Sequence, residues 1–148
     1  MKKNRNFRQG VFRCHNADKY KGDSNKIFYR SGLELKAFRF MDLNPNILEW
    51  SSEETIVPYQ NPLTGRISRY FVDIYAKIKD KTGEIKKFLI EIKPHIQTLP
   101  PKQKTKNLKS LRYQQAEYVK NQAKWQSADK FAKAKGMSFV LLTEKHLL

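Results

Sequence analysis

The chain has 148 residues, of which 39% are hydrophobic and 12% aromatic, enough apolar side chains to close one core and too short a length for two of ordinary size. Its formal net charge of +16 points to a polyanionic partner, most commonly nucleic acid. The single cysteine, Cys14, excludes an internal disulfide and a cysteine-built zinc site and reads as a spare thiol, while His15, His95 and His146 are too scattered to form one.

No run of about 18 apolar residues occurs, and Met1 to Asn6 are polar and do not resemble a signal peptide. The expectation is a soluble protein that makes no membrane contact and stays inside the cell that makes it. Residues 1 to 30 mix Lys, Arg, Asn and Gly with isolated aromatics and show no sustained period, so they read as a basic N-terminal arm without regular structure. Residues 31 to 148 then form one domain.

Ser31 followed by Glu34 is a helix start, and Leu35, Phe38 and Met41 continue at helical spacing to Asn44-Pro45, which predicts a helix over 32–43. Short strands follow at Ile47 to Ser51 and Thr55 to Tyr59, ahead of a turn cluster from Asn61 to Gly65. From Ile67 to Ile78 the even positions Tyr70, Val72, Ile74, Ala76 and Ile78 are apolar, which predicts one long strand with one buried face.

After a turn at Asp80 to Gly83, Phe88, Ile90 and Ile92 alternate with Lys87, Leu89, Glu91 and Lys93 on a second strand, which Pro94 ends. Behind the loop at Pro100-Pro101, Asn107 to Lys135 carries helical spacing as one long helix or two consecutive ones. Ser138 to Leu142 reads as a buried strand, and the crossover through a helix implies parallel pairing.

A turn centred on Thr82 sets the hairpin register: Val72 faces Ile92, Ile74 faces Ile90, Ala76 faces Phe88, and Asp73 faces Glu91. Opposed carboxylates with Cβ atoms about 5 Å apart repel each other, and a divalent cation between them removes the penalty. Lys93 projects from the same face as Glu91, where it can contact a scissile phosphate or orient the attacking water. Mg²⁺ takes hard oxygen ligands, keeps several waters and lowers the pKa of one of them, so this trio is suited to phosphodiester hydrolysis. The same residues also fit a solvent face on which Lys93 and Arg69 form surface ion pairs of little worth.

The charge distribution fits the catalytic alternative, and it also fits a highly basic binding or structural protein whose acids are ordinary surface residues. Residues 1 to 30 carry nine Lys and Arg against two acids and residues 100 to 135 carry ten against two, whereas residues 31 to 99 carry ten against nine. A centre rich in carboxylates between basic flanks can hold metal in the middle and a phosphate backbone at the sides. Lys102, Lys104, Lys106, Lys109 and Arg112, with Arg69, are candidate backbone contacts with no sign of base readout; a disordered solubilising loop accounts equally well for the lysine run.

An Asp on one strand followed by Glu-x-Lys on the next resembles the PD-(D/E)xK nuclease signature. The wider context is Lys19-Tyr20-x-Gly22-Asp23, Tyr29 to Lys36, Trp50-Ser51-Ser52-Glu53-Glu54, Pro58-Tyr59, Arg69 to Asp73 and Leu89 to Pro94. Together these resemble the head completion nucleases of tailed phages, which are similar to TnsA-type transposon endonucleases. The likeness runs from about Lys19 to the closing strand at Phe139 to Glu144.

That resemblance implies an α/β fold with a restriction-endonuclease-like core, a mixed sheet flanked by helices in the order α-β-β-β-α-β. It implies a metal site of Asp73, Glu91 and Glu34, with Mg²⁺ or Mn²⁺ as the ion and Lys93 as the fourth catalytic residue. Glu34 also fits the reciprocal half of a capping box, and the resemblance is what places it in the site. Val72 stands where the family usually has a proline before the aspartate, a position that shapes the strand end. Gln114 and Tyr118 form a Gln-x-x-x-Tyr pattern seen in some recombination nucleases, although a solvated helix face accounts for it too.

The implied function is cutting of packaged phage DNA during head completion and head-tail joining, in the cytoplasm of an infected host or within the virion, alongside head or neck proteins. Two rivals stand beside it: a structural head or neck protein that grips a DNA end without catalysis, and a transposon or repair endonuclease acting in a larger complex.

Overall fold

The computed structural model describes residues 9–102 and 107–147. Two short strands, β1 (Gly10–Val11) and β2 (Phe28–Tyr29), precede helix α1 (Gly32–Leu43). Strands β3 (Ile47–Ser52), β4 (Ile56–Gln60), β5 (Ile67–Phe71), β6 (Ile74–Lys79) and β7 (Ile85–Ile92) follow, then helix α2 (Leu108–Ala134) and β8 (Ser138–Leu142).

The main sheet has the order β3-β6-β7-β8, antiparallel except for the parallel β7–β8 pair that closes it after the α2 crossover. Leaving out the hairpin formed by β4 and β5, the core reads α1-β3-β6-β7-α2-β8. This is the expected α-β-β-β-α-β order of a restriction-endonuclease-like core. No helix among the described residues is long and apolar enough to cross a membrane.

Alternation along the strands builds a core on each face of the sheet. Ile74, Ala76, Ile90 and Ile92 pack with Ile47 and Trp50 against Leu35, Phe38 and Met41 of α1. On the opposite face Leu89 packs with Trp125, Ala128 and Ala132 of α2 and with Val57, Tyr59, Tyr70 and Val72 of the β4–β5 hairpin. Both helices begin on side-chain caps, the Ser31 hydroxyl accepting from the Glu34 N–H at 3.1 Å and the Asn107 side chain from the Ser110 N–H at 3.1 Å. The second helix is continuous over 27 residues and ends before Gly136, whose φ of 71° reverses the chain.

Two expectations are corrected. The stretch 67–78 is not one strand: β5 pairs with β4 and β6 pairs with β3 and β7, with the break at Val72-Asp73. The Val72 N–H donates to Thr55 (3.0 Å) and the Asp73 carbonyl accepts from Glu53 (3.1 Å), so the chain steps from hairpin to main sheet there. Apolar even positions therefore serve opposite faces, Tyr70 and Val72 toward α2, Ile74 and Ala76 toward α1. The predicted register holds at Ile74↔Ile90 and Ala76↔Phe88, but the ladder stops there, and Val72 does not pair with Ile92.

The second correction concerns residues 9 to 30, which carry regular structure and supply core residues. Phe12, Tyr20 and Ile27 are buried in the α1-side core, Phe12 and Tyr20 packing edge-on against Trp50 at centroid distances of 6.0 and 4.8 Å. Buried Asp42 of α1 accepts the His15 and Asn16 N–H groups at 2.8 and 2.9 Å and so fixes the segment's path. Aromatics spaced without a period gave no local signal of this packing. The first eight residues lie outside the described residues.

Candidate active site

Asp73 sits in the step between β5 and β6, and Glu91 sits one residue from the end of β7. They do not meet as a ladder pair. The Asp73 side chain turns to accept the Ile92 N–H at 2.8 Å, which brings its carboxyl group to the end of β7 where Glu91 stands. Burial, and next the neighbouring Glu91 charge, hold the Asp73 carboxyl well above the ordinary carboxylate range; the Ile92 N–H opposes this without cancelling it.

Glu91 is buried on the α2 side of the sheet. Its Oε2 accepts from the hydroxyl of Tyr70 and from the indole Nε1 of Trp125, the latter at 3.3 Å. Both donors are neutral, so they orient the carboxylate without neutralising it. Burial first, and then the Glu91 charge, push the Tyr70 phenol well above its ordinary pKa, so it stays protonated and donating.

Glu34 lies in the first turn of α1 and accepts the Arg30 N–H at 3.4 Å, one residue before the Ser31 partner that a capping box requires. Burial, only partly opposed by Arg30, raises its pKa, and it feels the charges of Glu53 and Glu91. It does not complete a metal cluster: among the described residues no three His, Cys, Asp or Glu side chains gather in that way. Glu53 has a positive φ of 56°, uncommon for a residue with a side chain; its N–H holds the Asp73 carbonyl, and its carboxylate takes both ends of the Arg30 guanidinium.

Lys93 continues the β7 face of Glu91, its N–H donating to the Leu142 carbonyl at 3.0 Å. It lines two cavities. One, of about 800 Å³, runs along the start of α1 past Glu34, Lys36 and Arg39. The other, of about 680 Å³, lies between Leu99–Lys102 and α2 and includes Gln114, Tyr118 and Asn121, so the Gln-x-x-x-Tyr pair faces a cavity beside Lys93.

Of the expected backbone contacts, Lys102 lines this second cavity, while Lys109 and Arg112 are exposed near the start of α2 and line neither. Arg69 is exposed on β5 with its guanidinium 5.6 Å from the Phe71 ring centroid. Lys104 and Lys106 lie outside the described residues. Arg30, Glu53 and Tyr70 lie in segments that carry the family resemblance but had no role of their own assigned there, and Lys124 and Trp125 lie in no motif. Tyr70 read only as apolar, although a buried hydroxyl needs a partner, and Trp125 between Lys120 and Lys130 in a Gln- and Lys-rich helix was the other available signal.

Comparison with known proteins bears on this geometry. A family model described as TnsA-like endonuclease N terminal matches residues 44–144. The head completion nuclease of Enterobacteria phage T4 is 38% identical over 136 residues, covering 89% of this chain and 88% of that protein.

Proposed function

The chain belongs to the TnsA-like endonuclease family and is a nuclease, and from that premise we propose that it hydrolyses DNA phosphodiesters with Mg²⁺ or Mn²⁺ at Asp73, Glu91 and Lys93. The observation that carries this reading is that Asp73, anchored on the Ile92 N–H, and buried Glu91 come together at the end of β7, with Lys93 two residues beyond Glu91.

The donor set fits a hard divalent ion. Asp73 and Glu91 would hold it, and Glu34, outside that pair, would contribute from the start of α1; Mg²⁺ commonly binds through one or two carboxylates with waters and phosphate completing its shell. When bound, such an ion acidifies a water and stabilises charge on phosphorus. Tyr70 and Trp125 hold the Glu91 oxygen in place, and the Ile92 N–H holds that of Asp73. Lys93, as an ammonium, contacts the scissile phosphate or orients the attacking water. Lys102, Lys104, Lys106, Lys109, Arg112 and Arg69 grip the backbone around it.

We further propose that the substrate is packaged phage DNA, cut at head completion so that filled heads join tails, with head or neck proteins as partners and the infected host's cytoplasm or the virion as the setting. The name of the T4 relative supports this. The test incubates purified protein with supercoiled plasmid and linear duplex, in Mg²⁺ or EDTA, alongside Asp73→Ala and Lys93→Ala. Cleavage by wild type alone, and only with metal, is expected. Equal cleavage by all three overturns the site, and DNA binding without cleavage by wild type supports a non-catalytic DNA-end binder instead.

A further inference from the structure

Lys124 lies on α2 immediately before Trp125, which donates to Glu91. Its ammonium stands 5.8 Å from the ring centroid of Tyr59 and 5.5 Å from that of Tyr70, the tyrosine whose hydroxyl also donates to Glu91. The side chain is thus clamped between the β4–β5 hairpin and α2, beside the carboxylate site.

Its neighbours on the helix are satisfied differently. Lys120 pairs with Glu117 at 2.8 Å and Lys133 with Asp129 at 2.9 Å, whereas among the described residues no carboxylate stands within ion-pair distance of Lys124. Burial, then Lys120 and Lys93, depress its affinity for a proton, against the opposing pull of Glu91. An ammonium partly withdrawn from water with only ring faces as partners is incompletely compensated. A monoanionic group beside the Lys124 ammonium would compensate it.

We propose that Lys124 is a phosphate-binding residue of the nuclease site, holding a backbone phosphodiester next to the scissile one on the α2 side of β7. The proposal rests on the nuclease reading of Asp73, Glu91 and Lys93. A lysine supplies a point charge without bidentate geometry, so the contact positions DNA and carries no base preference.

The experiment compares wild type, Lys124→Met and Lys124→Arg as full chains. Lys124→Met keeps an apolar stem against Tyr59 and Tyr70 and removes the charge; thermal melting at the wild-type temperature verifies its fold. Duplex binding is measured in EDTA across a NaCl series, and cleavage kinetics in Mg²⁺. The methionine variant is expected to bind about tenfold more weakly at low salt, with a slope of log K against log[NaCl] shallower by about 0.9, the value of one neutralised phosphate. KM rises while kcat stays within about twofold, and Lys124→Arg restores the slope.

Unchanged affinity and slope in Lys124→Met overturn the proposal even if Asp73→Ala abolishes cleavage. Unimpaired cleavage by Asp73→Ala overturns the nuclease site, and the salt slope then judges Lys124 by itself.

Discussion

The hydroxyl of Tyr70 on β5 donates to the carboxylate of Glu91 on β7, a hydrogen bond that ties the hairpin to the main sheet across the site. Tyr70→Phe removes that donor while keeping the ring that packs on α2. Cleavage is expected to fall about 10- to 100-fold, the usual cost of losing an outer partner of a metal ligand, with a higher Mg²⁺ requirement and an intact fold. Initial rates titrated with Mg²⁺ check this; an unchanged rate and Mg²⁺ midpoint exclude a positioning role.

Burial and, next, the neighbouring Glu91 charge raise the pKa of Asp73 in the folded state. Below its ordinary pKa of 3.8 the folded protein therefore suffers nothing from this group, and the penalty grows as pH rises and is complete above the folded pKa. Asp73→Asn should melt higher than wild type in EDTA near neutral pH, by about 3 °C for each kcal/mol relieved, and should show no gain in strong acid. Mg²⁺ should raise the melting temperature of wild type and not of the variant. Melting curves over pH, with and without metal, decide it.

Ser31 and Glu34 separate the helix cap from the site. Ser31→Ala removes the acceptor of the Glu34 N–H and should cost about 1 kcal/mol of stability with cleavage retained. Glu34→Gln should lower cleavage at nearly unchanged stability, because burial already disfavours the charge. Urea unfolding with parallel activity assays distinguishes the two; if Glu34→Gln loses stability and keeps full activity, Glu34 is only structural.

Asp42→Ala leaves the His15 and Asn16 N–H groups without their acceptor beneath the N-terminal segment. A loss of about 1 to 3 kcal/mol is expected, the net worth of two partly buried hydrogen bonds to a charged acceptor. Deleting residues 1 to 30 should do more and leave the chain unfolded by circular dichroism, since Phe12, Tyr20 and Ile27 go with it. A truncated chain that folds and cuts DNA would make this segment dispensable.

Much of the site is legible in the amino-acid order because its signals are local. Alternation over 74–78 and 88–92 sets which residues share a face and a four-residue turn sets the register as far as Ile74↔Ile90, but the counted pairing of Asp73 with Glu91 lies beyond the end of that ladder. Less visible is the step at Val72-Asp73, because alternation continues in sequence while the chain changes sheets, and period 2 cannot report which sheet receives each side chain.

By itself the sequence determined the basic flanks, the core order of helices and strands, and the placement of Glu91 and Lys93 at the end of one strand. Those depend on composition and on spacing between near neighbours. The tertiary structure decided that the Asp73 side chain reaches the end of β7 by way of the Ile92 N–H, that Tyr70 and Trp125 hold Glu91 from 21 and 34 residues away, and that Lys124 lies beside Tyr70. Such contacts are set when two faces of a sheet are covered by a hairpin and a helix remote in the chain, and no local period records that packing.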